Sequence, residues 1–97
     1  MIKKLLGKKY EINSRKYKKE LYVLLYKDFN NIFKTITNVR TFKEKSKTIV
    51  EITSNQPGLV IGLRGTFVKR ISAELSKNLD EQISIDVKES KTWKNIF

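Results

Sequence analysis

The sequence predicts an α+β fold of two layers, a three-stranded sheet covered on one face by helices, and three observations carry that expectation. Apolar residues recur at helical steps of three and four in two stretches, and β-branched or alternating runs occupy three others. The 97 residues suffice for one modest core but not for two independent ones. Helices and a sheet that each carry one apolar face bury those faces against each other, which makes two layers. The chain therefore reads as one domain over residues 15–90, with a basic arm over 1–14 and a tail over 91–97.

The arm comes first. Residues 1 to 20 hold eight basic side chains (Lys3, Lys4, Lys8, Lys9, Arg15, Lys16, Lys18, Lys19) and two acidic ones, Glu11 and Glu20. Such runs are usually solvated surface, but beside a nucleic-acid-binding domain they also supply phosphate contacts, and a basic segment also meets anionic lipid. Ser14 then stands where a helix over 15–36 needs its N-cap, with Tyr22, Leu25, Phe29, Ile32, Phe33 and Ile36 forming one apolar stripe. Aromatic residues at that spacing are assigned to packing and not to base stacking.

Residues 39–44 are β-branched and aromatic, Lys45-Ser46 breaks the run, and 47–53 resumes it, which predicts a hairpin. Val50 and Ile52 share one face of the second strand, while Ile49, Glu51 and Thr53 take the other, as expected where only one face meets the core. Ser54-Asn55-Gln56-Pro57-Gly58 is turn chemistry, with Pro57 suited to a first helical turn. A short apolar piece, Leu59-Val60-Ile61, leads into Gly62-Leu63-Arg64-Gly65. Beyond it Val68, Ile71, Leu75 and Leu79 mark a helix over 66–79. Asp80-Glu81 reads as a solvated turn at its end. Residues 82–88 then alternate, with Ile83, Ile85 and Val87 on the core face, and Trp93, Ile96 and Phe97 close the chain.

Composition narrows the function. There is no cysteine and no histidine, so disulfides and thiolate metal sites are excluded and the commonest metal ligand and general base are missing. Acidic residues form no acid–base pair or metal cluster at a convincing spacing, so the chain is read as non-catalytic and no cofactor is expected. Lysine and arginine number 21 against 10 acidic residues, for a net charge of +11 and a pI near 10.0, which points to a polyanionic partner. A compositional bias toward lysine is the bland alternative. Uncharged runs fall far short of the roughly 20 residues that span a bilayer, and Met1-Ile2-Lys3-Lys4-Leu5-Leu6 is followed by Gly7-Lys8-Lys9, not by the long apolar stretch of a signal sequence. A cytoplasmic location is expected.

The Gly62–Gly65 segment carries the chemistry. Two glycines let backbone approach a ligand with no Cβ in the way and tolerate positive φ. The helix that opens after Gly65 offers unpaired N–H groups and a positive dipole end to an anion, and Arg64, Lys69 and Arg70 add full charges. A nucleotide-hydrolysing Walker loop is excluded, because Gly65 is followed by Thr66-Phe67 and not by lysine and a hydroxyl residue.

The run Pro57-Gly58-Leu59-Val60-Ile61-Gly62-Leu63-Arg64-Gly65-Thr66-Phe67-Val68 resembles the Val-Ile-Gly-x-x-Gly-x-x-Ile signature of KH domains, and the order of elements matches their type II arrangement. The Pro-Gly entry is similar to the KH domain of the small-subunit ribosomal protein at the mRNA entry site. Val87-Lys88-Glu89-Ser90-Lys91-Thr92-Trp93-Lys94 is similar to the end of the KH domain in Era-family GTPases. The resemblance implies a type II KH fold, with a three-stranded mixed sheet packed on one face by three helices. It implies single-stranded RNA as partner, ribosomal or messenger RNA and the ribosome included, gripped along about four nucleotides by the loop.

By that resemblance the RNA-binding residues are Gly62, Leu63, Arg64, Gly65, Thr66, Phe67, Lys69 and Arg70, with an apolar groove of Leu59, Val60, Ile61, Val68 and the neighbouring strand. Core packing claims part of that groove. Two residues depart from the pattern. Leu63-Arg64 gives the loop one basic residue where two are common, and Phe67 replaces a polar residue, either to stack on a base or to pack under the first helix. The alternative function is a protein-interaction module, with Leu63, Phe67, Trp93, Ile96 and Phe97 as its apolar surface.

Overall fold

A computed structural model describes residues 9–90. The first eight residues of the arm and the tail with Trp93, Ile96 and Phe97 lie outside the described residues. The elements run β1 (Tyr10–Ile12), α1 (Arg15–Asp28), α2 (Asn30–Phe33), β2 (Ile36–Glu44), β3 (Lys47–Ser54), α3 (Pro57–Ile61), a 3₁₀ turn (Leu63–Gly65), α4 (Thr66–Leu79) and β4 (Ile83–Glu89).

The sheet has four strands in the order β1-β2-β3-β4, one more than the sequence predicts. The extra strand is β1, which pairs antiparallel with β2 from Tyr10 opposite Lys43 to Ile12 opposite Thr41. Three residues are too few to show a period, so β1 was hidden in the charged run. Glu11 anchors it, accepting hydrogen bonds from Arg40 Nη2 at 2.9 Å and Nε at 3.1 Å.

The first helix also differs from expectation. Instead of running from 15 to 36 it stops at Asp28, because Phe29 leaves the helical region (φ −138°, ψ 54°) and turns its ring into the core. The two asparagines that follow favour turns over helix interiors. The apolar stripe survives the break because Phe33 of α2 packs edge-on against Tyr22 of α1, with centroids 5.4 Å apart. Ser14 makes no side-chain cap; Asn13 Oδ1 accepts the Arg15 N–H instead, at 2.8 Å. Ile36 belongs to β2, which starts three residues earlier than the sequence predicts.

Tyr17, Leu21, Leu24 and Leu25 of α1 and Ile71 and Leu75 of α4 cover the inner face of Val39, Val50, Ile52 and Ile83. Each aliphatic side chain fully buried here contributes about 1.5–3 kcal/mol. β2 alternates poorly in sequence because Thr41 points inward and is fully buried while Phe42 lies on the outer face. On that outer face Glu51 is unexpectedly only 5% exposed, covered by its flanking strands and paired with Lys88 at 3.2 Å and Arg40 at 3.9 Å.

Asp80-Glu81 is not the solvated turn that the sequence suggests. Asp80 ends α4 in the left-handed region, which swings Glu81 back toward α1 and the sheet. Its carboxylate accepts hydrogen bonds from Tyr17 Oη at 2.9 Å, Thr48 Oγ1 at 2.9 Å and Lys16 Nζ at 2.7 Å, with Lys43 Nζ at 3.6 Å. Burial pushes the carboxyl pKa up, but the bonds from Lys16, Tyr17 and Thr48 and the charge of Lys16 outweigh it and hold the pKa at about 2.

β3 and β4 pair in parallel, with Val50 opposite Ile85 and Ile52 opposite Val87. Parallel neighbours require a crossover, and here it consists of α3, the 3₁₀ turn and α4. That crossover carries the candidate site.

Candidate nucleic-acid interface

Pro57 opens α3, and the helix ends at Gly62, whose N–H donates to the Gly58 carbonyl at 2.9 Å. Three of the four loop residues have positive φ: Gly62 at 76°, Arg64 at 57° and Gly65 at 74°. The backbone thus doubles back within one 3₁₀ turn, closed by Gly65 N–H to Gly62 C=O at 3.1 Å and by the Thr66 hydroxyl donating to the Leu63 carbonyl. Leu63 stands 82% exposed at the tip, and Arg64 and Thr66 are exposed beside it.

Gly62 is required for a second reason. A Cβ there would lie 2.8 Å from the Phe67 ring and 2.9 Å from the Phe67 amide nitrogen. Phe67 therefore packs on bare backbone, and its ring meets Phe29 in an edge contact, 5.4 Å between centroids. Packing against the end of the first helix is thus realised, yet 37% of the residue remains exposed. Arg70 lays its guanidinium over the Phe29 ring at 5.0 Å. Lys69 runs its stem past Gly65, its Cε 3.8 Å from where a Cβ would stand.

No side chain caps α4, and its first turn holds no acidic residue. Its leading N–H groups and its dipole face the loop without a built-in anion, while Arg64, Lys69 and Arg70 are all exposed around it. This corner of the molecule is prepared for negative charge.

The single apolar groove expected from the sequence divides. Val60 is fully buried and belongs to the core, so it offers no surface; α3 is one and a half turns long and must spend one residue on anchoring. Leu59 is 40% exposed and lines a cleft of about 260 Å³ with Phe67, Phe29 and Asp28-Asn30-Asn31-Ile32. Ile61 is 39% exposed. Val68 lines a different groove, of about 360 Å³, between α4 and β4 with Lys69, Ser72, Ala73, Ser84 and Ile85. Ser72 and Ala73 escaped the sequence reading, although they lie one helical turn beyond Val68 and Lys69; Ile85, expected on the core face, lines this groove with Ser84 from the neighbouring strand. Ser72 Oγ donates to the Ile83 carbonyl at 2.6 Å, and Ser76 Oγ accepts the Ile83 N–H at 3.1 Å, which locks β4 to α4.

Among the described residues no group of three or more His, Cys, Asp or Glu side chains is placed to hold a metal ion. No described helix is long and apolar enough to cross a membrane.

The sequence is similar to those of known proteins. A family model described as "KH domain" matches residues 20–94. Among curated proteins, the small ribosomal subunit protein uS3 of Treponema pallidum (strain Nichols) is 34% identical over 56 residues, which cover 58% of this chain. The match spans only 23% of that relative's own length.

Proposed function

The chain belongs to the KH domain family, in its type II arrangement, and from that premise we propose that it is a non-catalytic module that binds single-stranded RNA by clamping the backbone with the Gly62–Gly65 loop. One observation carries the reading: a loop with positive φ at three of four positions presents bare backbone next to the uncapped start of α4, ringed by Arg64, Lys69 and Arg70. Phosphates take that corner, and bases enter the groove between α4 and β4, where Val68, Ala73 and Ile85 supply apolar contact and Ser72 and Ser84 polar edges. Residues 15–90 act as the RNA-binding unit and the basic arm lends further phosphate contacts. The likeness to a ribosomal protein makes ribosomal or messenger RNA in the cytoplasm the natural partner.

Fluorescence-anisotropy titration of short single-stranded RNAs tests this. Leu63→Asp/Arg64→Asp places two carboxylates on exposed positions, so the fold is expected to survive while binding falls by at least about tenfold through repulsion of phosphate. If three cations neutralise phosphates, log K falls against log salt with a slope of about −2. Equal binding by the parent and double-variant chains would move the site away from the loop.

The exposed Leu63 and Phe67 favour one other reading, docking of a protein on the same corner. Partner binding that ignores salt, with no affinity for RNA, would establish it.

A further inference from the structure

The cleft between the end of α1 and the start of α4 shares no residue with the α4–β4 groove, and the RNA-clamping reading leaves it unused. Its walls are the Phe67 ring, Phe29 and Leu59. Its rim is polar: the side chains of Asp28 and Asn31, exposed and with no hydrogen-bond partner among the described residues, and Asn30, whose amide makes only a long 3.5 Å contact to the Tyr26 carbonyl. Arg70, its guanidinium held over the Phe29 ring at 5.0 Å, puts positive charge beside the opening.

Flat apolar walls with amide and carboxylate groups along one edge match a nucleobase, which offers a π-face and a row of hydrogen-bonding atoms together. The Arg70 guanidinium complements a phosphate beside such a base. We propose that this cleft is a subsite for one nucleobase of the bound RNA, from a nucleotide adjacent to those clamped at the loop. The inference rests on the RNA-binding reading and extends the footprint past the loop to the opposite flank of Phe67.

The test compares an RNA of about four nucleotides, the length such a loop clamps, with one roughly twice as long. Asn31→Ala and Phe67→Leu are each expected to weaken the longer RNA, the latter by about tenfold as a lost stacking contact would, and Asn31→Ala to leave the shorter one unchanged. Thiouridine placed at successive positions of the longer RNA is expected to crosslink, at one position outside the clamped stretch, to residues 28–32 or to Phe67. Asn31 is exposed and supports no described contact, so its variant keeps the test decisive if Phe67→Leu unfolds. Should both variants bind the longer RNA as the parent does, with no crosslink to the cleft, while Leu63→Asp/Arg64→Asp abolishes binding, the subsite is refuted and the loop reading stands. If the parent chain binds neither RNA, the RNA reading itself fails.

Discussion

Gly62 and Glu81 stand at opposite ends of α4, and each does something its residue type alone does not disclose. The paired glycines of the loop were legible in the sequence because their spacing has a backbone meaning, but the reason Gly62 tolerates no side chain is a distant one, the Phe67 ring 2.8 Å from its absent Cβ. Gly62→Ala is therefore expected to cost about 2–3 kcal/mol in urea unfolding, from strained φ and the displaced ring together. Glu81 was illegible, since its partners Lys16, Tyr17, Lys43 and Thr48 lie far away in sequence. Its carboxyl is depressed to about 2 in the folded chain, so the stability it confers is complete above the ordinary carboxylate range near 4.5 and drains away as pH falls from there toward 2. Urea titrations across that window should show a loss on the order of 1–2 kcal/mol, discounted for solvent screening, that Glu81→Gln abolishes.

Elements were legible where their period was long and their neighbours were local. α4, β3 and β4 lie close to where alternation and helical spacing put them, whereas the break at Phe29 was masked because Ile32, Phe33 and Ile36 continue the apolar rhythm on the far side of it. That rhythm came from shared packing of α1, α2 and β2, not from one helix. The β2–β3 hairpin closes over two residues, Lys45 and Ser46, and only Lys45 has positive φ, at 57°. A positive φ at the first of two hairpin residues favours glycine there. Lys45→Gly is expected to stabilise the chain by about 0.5–1 kcal/mol, read as a higher midpoint in thermal unfolding with RNA affinity unchanged.

At the scale of the molecule, the two layers and the mixed order of strands followed from patterning and from the loop's resemblance, while the fourth strand and the division of the groove did not, because both arise from pairings distant in sequence. The same distance governs how the basic corner around the loop comes into being. Thr48 of β3 aligns with Ile83 of β4, and residues 55–82, which join the two strands, are the crossover that bears the loop. During synthesis the N-terminal elements leave the ribosome first, with Val50 and Ile52 on a sheet face that α1 covers only in part while Ile71 and Leu75 have yet to emerge. A nascent chain ending before α4 thus exposes part of an apolar strand to solvent, and the loop itself emerges before the strand that will brace it. Ribosome-bound chains truncated between Gly65 and Ile83 are accordingly expected to remain protease-sensitive over β3, and those extending past Ser90 to resist. For such a nascent chain, the vulnerable interval of its biogenesis closes only when β4 has joined the sheet beside β3.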